Sequence, residues 1–316
     1  MKKYQRHSSL FDNSHPIEKI GGKSDKDPIP KHYSSKRKFD GLSHLALFVF
    51  STVLLWMGIS WLISVLPVDR MLLTLSSLFP ATIASTYLML HIPRHRPWST
   101  LGVKLNLRAV VTVGYGIGLG ACLVGSILGA HWILGWTELT TADFTGHSER
   151  SWAPTLVSGL FGIAVGSAGE ELLVRGYGFH QLARTTHPWM AVVVTGSIFG
   201  WMHYGNPAFS GLALVNTVLF GLLFGLALVR HRTLWLTYGM HAGWNLSLAS
   251  LGINLSGLKI NLTGIQVKTV GPSLWTGGAY GLEGGLSATI VVLVAAWVIW
   301  KLPFSTDHNK LLWEEE

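Results

Sequence analysis

Two adjacent carboxylates, Glu170 and Glu171, follow an apolar run, and Arg175 stands four residues after the second, in GSAGEELLVRGYGFHQLAR at 166–184. Charge in apolar surroundings is costly unless it is paired or put to use. On a helix, Glu171 and Arg175 share a face and can pair. Glu170 is rotated from Glu171 by about 100°, one helical step, so the same arginine does not serve it. A desolvated, unpaired glutamate suits general-base work. A charge network that only fixes helix packing is the competing reading, and this motif alone does not separate the two.

Two further polar sites lie in apolar runs. FGWMH places His203 four residues after Phe199, near the end of one run; taken alone, such a histidine reads as interfacial or packed. YGMHAGWNLS places His241 and Asn245 four apart in the middle of another, so both fall on one helical face. A single interhelical hydrogen bond, worth about 1 kcal/mol or less, explains one polar residue there better than two. Taken together, three spans bring proton-handling groups to membrane depth, a cost an inert bundle has little reason to bear. Glutamate and histidine can deprotonate a water. Histidine and asparagine can hold the oxyanion of a tetrahedral intermediate. Amide hydrolysis needs both.

The elements that must carry these residues are membrane helices. The chain is 49% hydrophobic and 13% charged over 316 residues, with 14 tryptophans and 36 glycines; its mean hydropathy is +0.38. A soluble domain carries about twice that charged fraction. Roughly eight apolar segments reach the ~20 residues a crossing helix needs: 42–66, 71–92, 109–134, 153–182, 189–206, 209–229, 233–252 and 286–303. The fold class expected is therefore all-α, a polytopic helical bundle at 41–304, with no repeat architecture and no soluble second domain. The second half of the fourth segment is amphipathic and is expected to leave the membrane at an angle.

Residues 1–40 are polar and basic and read as a disordered cytoplasmic tail; 305–316 read as a second cytoplasmic tail. The basic loops IPRHRPWSTLGVKLNLR and RHR, with Lys301, fall on the same side as the N-terminal tail, so both termini are expected in the cytoplasm and the protein in the plasma membrane. The net charge of +8 follows from these loops rather than from nucleic acid, which is not expected as a partner. Cys122 is the single cysteine, so no intrachain disulfide exists. GYGIG (Gly114–Gly118) and GLLFG (Gly221–Gly225) read as tight helix-packing spacings. The glycine-dense loop 253–285 reads as a re-entrant cover, and its Glu283 as a solvated or capping carboxylate.

EELLVRG, FGWMH and HAGWN match, in order, the EExxxR, FxxxH and HxxxN motifs of the CPBP family, the CAAX-protease and bacteriocin-processing intramembrane proteases that include type II CAAX prenyl endopeptidases. The resemblance covers about 150–250, the core of the family's Abi-type domain. It implies an intramembrane peptidase acting on a membrane protein or peptide, prenylated or not. By resemblance, Glu170 activates water, His203 shares that water, His241 and Asn245 stabilise the oxyanion, and Glu171 and Arg175 support them. The family name includes metalloproteases, and Glu170, His203 and His241 are the three candidate zinc ligands; with no HExxH in the chain, metal-free hydrolysis is favoured. A non-enzymatic scaffold or immunity protein of the same fold, and a proton relay in a transporter, are the rival functions. One tension stands: ideal spans separate Glu170, toward the cytoplasmic end of its helix, from His203 at the outer end of the next. A long fourth helix, tilted and kinked near GIAVGSAG, would bring them level.

Overall fold

The computed structural model describes residues 31–65, 70–92, 95–141, 152–301 and 310–314. Helices dominate: α1 (Lys31–Ser64), α2 (Arg70–His91), α3 (Leu107–Ile133), α4 (Trp152–Arg175), α5 (Tyr177–Thr185), α6 (Pro188–Met202), α7 (Gly211–His231), α8 (Leu234–Ser250), the single turn α9 (Ser273–Thr276) and α10 (Leu286–Lys301). Side chains set several starts. Asn106 caps α3 by accepting from Ala109 N at 2.9 Å, Ser210 caps α7 through Ala213 N at 3.1 Å, and Thr233 caps α8 through Trp235 N at 3.3 Å.

Each apolar segment of the sequence holds one of these helices, but not all are crossing helices by length and composition. Among the described residues four stretches are long and apolar enough: Asp40–Ser64, Leu107–Ile133, Leu156–Thr185 and Gly211–His231. The helix α1 reaches back to Lys31, into the segment read as tail; the remainder of that tail, 1–30, lies outside the described residues. The other expected tail begins within 302–309, also outside them, yet its residues 310–314 dock on the bundle. Leu311 and Leu312 are buried, Trp313 stacks on His180 at 4.6 Å, and Glu314 pairs with Arg232.

Glycine governs the closest packing. α3 and α8 meet through Gly116 against Gly239 and Gly120 against Gly243, where backbones touch. The spacing is the expected one but the face is not: Gly114 and Gly118 look onto open space, and the pair two residues further on makes the contact. Residues two apart lie about 200° round a helix, and the glycine pattern alone does not say which face meets a neighbour. Gly221 does pack as expected, its backbone against Gly196 of α6, and Gly225 meets Val192. A Cβ at Gly120 would sit 2.3 Å from the Met240 carbonyl oxygen, whereas at Gly118 nothing lies within 4 Å. Gly120→Ala is therefore expected to cost about 1–3 kcal/mol or more, and Gly118→Ala to be neutral or stabilising. Thermal unfolding of the two variants in detergent checks the contrast.

The all-α expectation needs one correction. Strands β1 (Thr137–Thr141) and β2 (Ile265–Thr269) pair antiparallel, Thr137 opposite Thr269 and Thr141 opposite Ile265. The ladder ties the end of α3 to the loop 253–285. Ile253, Ile260, Leu262, Tyr280 and Leu282 of that loop are buried. It is a packed cap over one end of the bundle. At the other end, Gly102 O accepts from Leu234 N at 3.0 Å, Lys104 O from Trp235 Nε1 at 2.9 Å, and Trp300 O from Arg230 Nε at 3.3 Å. The basic 95–108 loop, the α7–α8 turn and the end of α10 thus share one face, as the charge pattern required.

Candidate active site

The division of labour between the paired glutamates is visible in their exposure. Glu171 is 1% exposed and Arg175 fully buried, joined at 3.2 Å between Oε1 and Nη1. The guanidinium donates its Nη2–H to Gly221 O at 2.9 Å and lies 4.5 Å from the centre of the Phe199 ring, with Phe224 on another side. Arg175 is thus held by a carboxylate, a carbonyl and two aromatic faces, the setting in which a buried guanidinium is stable. The side chain of Glu170, at 25% exposure, looks into a cavity of about 170 Å³, and its Oε2 accepts no hydrogen bond among the described residues. Its neighbour Gly169 faces the other way: a Cβ there would meet the α2 backbone at Phe79, 2.9 Å away.

His203, His241 and Asn245 line the same cavity. His203 follows the last residue of α6, and its Nδ1 lies 2.8 Å from Phe199 O, so it donates there and Nε2 is the nitrogen left for other partners. The separation expected between Glu170 and His203 does not arise, for a simple reason. α6 has 15 residues and rises about 22 Å at 1.5 Å per residue, less than the ~30 Å of hydrocarbon. Its end is recessed to the level of Glu170. α4 runs as helix through GIAVGSAG without interruption, and the break falls instead at Gly176, where α5 begins.

His241 sits between the two glutamates. Its Nδ1 donates to Glu171 Oε1 at 2.9 Å, and its Nε2 faces Glu170 Oε2 at 3.9 Å. Phe224 stacks on the ring at 5.2 Å and Phe199 meets it edge-on at 5.7 Å. Glu171 therefore does more than pair with Arg175: it also fixes the orientation of His241. Asn245 donates one Nδ2–H to Ser167 Oγ at 3.1 Å; an amide nitrogen carries a second N–H. Zinc would need three ligands about 2.0–2.2 Å from one point. Among the described residues no three His, Cys, Asp or Glu side chains are placed to hold a metal ion, Glu170, His203 and His241 included.

One lining residue departs from its expected place. Glu283, read as a solvated or capping carboxylate, is 5% exposed and belongs to the cavity wall. Its Oε1 accepts from Trp244 Nε1 at 3.0 Å, and its Oε2 from Ser256 N at 2.5 Å and Ser256 Oγ at 2.8 Å. Burial pushes its carboxyl above the ordinary carboxylate range, against the pull of the Ser256 bonds and of nearby His203. Asn216 holds the same turn, donating to Glu283 O and Gly285 O, both at 2.8 Å. No spacing in the sequence links this carboxylate to the motifs; the only signal was an acid inside a glycine-dense, otherwise apolar stretch. Glu283→Gln removes a charged acceptor from this wall. The expected cost is about 1.5–3 kcal/mol, localised to the cap, and faster hydrogen exchange across 253–285 with α3 unchanged is its signature.

The arrangement now holds a carboxylate without a hydrogen bond at Oε2, a backbone-anchored histidine, a carboxylate-anchored histidine and an amide donor in one recess. Comparison with known families gives one match: residues 151–247 fit the model of the type II CAAX prenyl endopeptidase Rce1-like family. The match spans just under a third of the chain, and over that stretch the chain is similar to an Rce1-like domain. That stretch contains Glu170, Glu171, Arg175, His203, His241 and Asn245, and it ends before Glu283. The matched family is of the CPBP intramembrane-protease type that the three motifs resemble. No curated protein matches the chain.

Proposed function

We propose that the chain is an intramembrane endopeptidase that hydrolyses a peptide bond of a membrane-associated or lipidated protein or peptide. The observation that carries this reading is the Glu170 carboxylate, whose Oε2 accepts no hydrogen bond among the described residues and which faces a recess shared with His203, His241 and Asn245 while Glu171 is neutralised by Arg175. A water between Glu170 and His203 Nε2 gives a proton to the glutamate and attacks the scissile carbonyl. The oxyanion takes hydrogen bonds from the second Asn245 N–H and from His241 Nε2–H. His241 donates from both nitrogens as the imidazolium, and the carboxylates on either side balance that charge. Glu170 then passes the proton to the leaving amine, and the C–N bond breaks. Oriented donors in a water-poor recess are worth far more than in bulk solvent.

The recess, about 170 Å³, is smaller than the ~300–1,000 Å³ of a site that encloses a drug-sized ligand. It suits a water and a short stretch of peptide, so any lipid on the substrate lies outside it, against the helix exteriors. In the membrane the apolar helices set the basic face toward the cytoplasm, by the bias of lysine and arginine. The site chemistry runs on side chains alone, and chelator treatment of the purified protein is expected to leave its cleavage rate unchanged.

The test is a comparison of new protein N-termini in membranes of cells carrying the wild type or Glu170→Gln at matched expression. Termini that appear only with the wild type establish proteolysis and expose the substrate class. Identical profiles across substrates known to be present would remove the protease assignment in favour of a binding role.

A further inference from the structure

A second and larger cavity, about 520 Å³, lies on the basic face between the starts of α3 and α8. Lys104, Asn106, Arg108, Tyr115, His231 and Trp235 are among the residues lining it, and no carboxylate is. The glycine contacts set its electrostatics. Gly116 meets Gly239 and, one turn on, Gly120 meets Gly243, so the two helices run in the same direction with their N-termini side by side. Each N-terminus presents partial positive charge, and neither first turn holds an acidic residue. Arg108 even occupies the first turn of α3, where a cation is unfavourable. Neither Lys104 nor Arg108 forms an ion pair among the described residues. Two like-charged side chains and two aligned helix dipoles therefore converge on one recess large enough for a headgroup.

The surroundings say which anion. Leu105, Leu107, Val110 and Val111 beside the cavity are 64–83% exposed, an apolar surface continuous with the helix exteriors. Tyr115 and Trp235 line the recess itself, the ring types that sit at headgroup level. A soluble anion has no use for that apolar skirt, whereas an acyl chain does. We propose that this cavity binds the phosphate headgroup of an anionic phospholipid, with the acyl chains running down the outside of α3. Lys104 and Arg108 pair with the phosphate, and the partial positive charge of the two helix starts adds to their pull. Because Trp235 Nε1 donates to Lys104 O at 2.9 Å, the bound lipid also braces the start of α8, the helix that carries His241 and Asn245. The inference rests on the chain spanning a membrane; it does not depend on the peptidase chemistry.

The experiment is native mass spectrometry of the full chain in detergent, titrated with phosphatidylglycerol or phosphatidylcholine. The wild type is expected to retain phosphatidylglycerol preferentially. Each basic side chain near an anionic lipid surface is worth about fivefold in binding, so Lys104→Ala with Arg108→Ala is expected to lose about 25-fold. Lys104→Arg with Arg108→Lys keeps both charges and should bind like the wild type, which separates lost charge from lost fold. Glu170→Gln should retain the lipid, which keeps this result apart from the protease assignment. Equal binding by the wild type and the double alanine variant, or equal retention of the two lipids, would overturn the proposal. Displacement of the lipid by millimolar inorganic phosphate would overturn it too, identifying the site as one for free anions.

Discussion

Glu170→Gln is expected to lower cleavage by about 10²–10⁴-fold, the usual contribution of a positioned general base, while leaving the fold intact. Both halves of that expectation come from the same geometry. Glu170 Oε2 accepts no hydrogen bond among the described residues, and its nearest charged neighbour, His241 Nε2, is 3.9 Å away. Glutamine keeps the shape and breaks no such bond, so any loss of stability should stay well below the ~3–5 kcal/mol of breaking a buried ion pair. What glutamine lacks is the ability to accept the proton of the attacking water. Thermal unfolding in detergent and cleavage of a substrate found through its new N-terminus, measured on one preparation, check the two halves together. Retained cleavage would show that the proton goes elsewhere. Lost cleavage with lost stability would show that Glu170 belongs to the packing instead.

Arg175→Met should do the reverse, destabilising the protein by about 3–5 kcal/mol, the usual cost of breaking a buried ion pair from one side. The guanidinium is fully buried, and its removal takes the permanent cation from the Glu171 carboxylate at 1% exposure, leaving His241 as its ionisable partner. Gly221 O loses its donor, and Phe199 and Phe224 lose the cation against their rings. Methionine fills much of the volume but supplies neither charge nor donor. The diagnostic comparison is the double variant Glu171→Gln with Arg175→Met. With neither charge left to bury, it should recover much of the stability lost in Arg175→Met. It should not recover activity, because His241 loses the carboxylate that receives its Nδ1–H. Unfolding temperatures of the two variants test the first statement, and cleavage by the double variant tests the second. Full activity in the double variant would mean that Glu171 does not orient His241.

Much of the site was legible because its logic is local. Consecutive residues on a helix point about 100° apart, so one arginine four positions on could serve Glu171 and not Glu170. The same arithmetic put His241 and Asn245 on one face, and both line the cavity. The basic segments likewise announced a shared face, because lysine and arginine are costly inside a bilayer and collect at helix ends.

What the sequence did not reveal depends on distance in space between residues remote in the chain. Glu283 reaches the cavity because the cap folds back over it, fastened by Trp244, Ser256 and Asn216, and no periodicity connects those positions. Both partners of the Glu171–His241 bond were visible, but helix geometry says nothing about which face of α4 meets α8. Gly116 and Gly120 could not be preferred over Gly114 and Gly118 by spacing, since both pairs satisfy it; only the approach of α8 chose between them. The level of His203 against Glu170 was decided by the depth at which the short α6 ends, a property of its docking on α7. Composition and helical period thus determined a membrane-embedded helical protein and the residues able to do hydrolytic chemistry, because burial cost and side-chain direction are set within a turn or two. Tertiary packing alone decided which of those residues share a cavity, what orients them and what covers them, because contacts between helices depend on faces and depths that no single helix encodes.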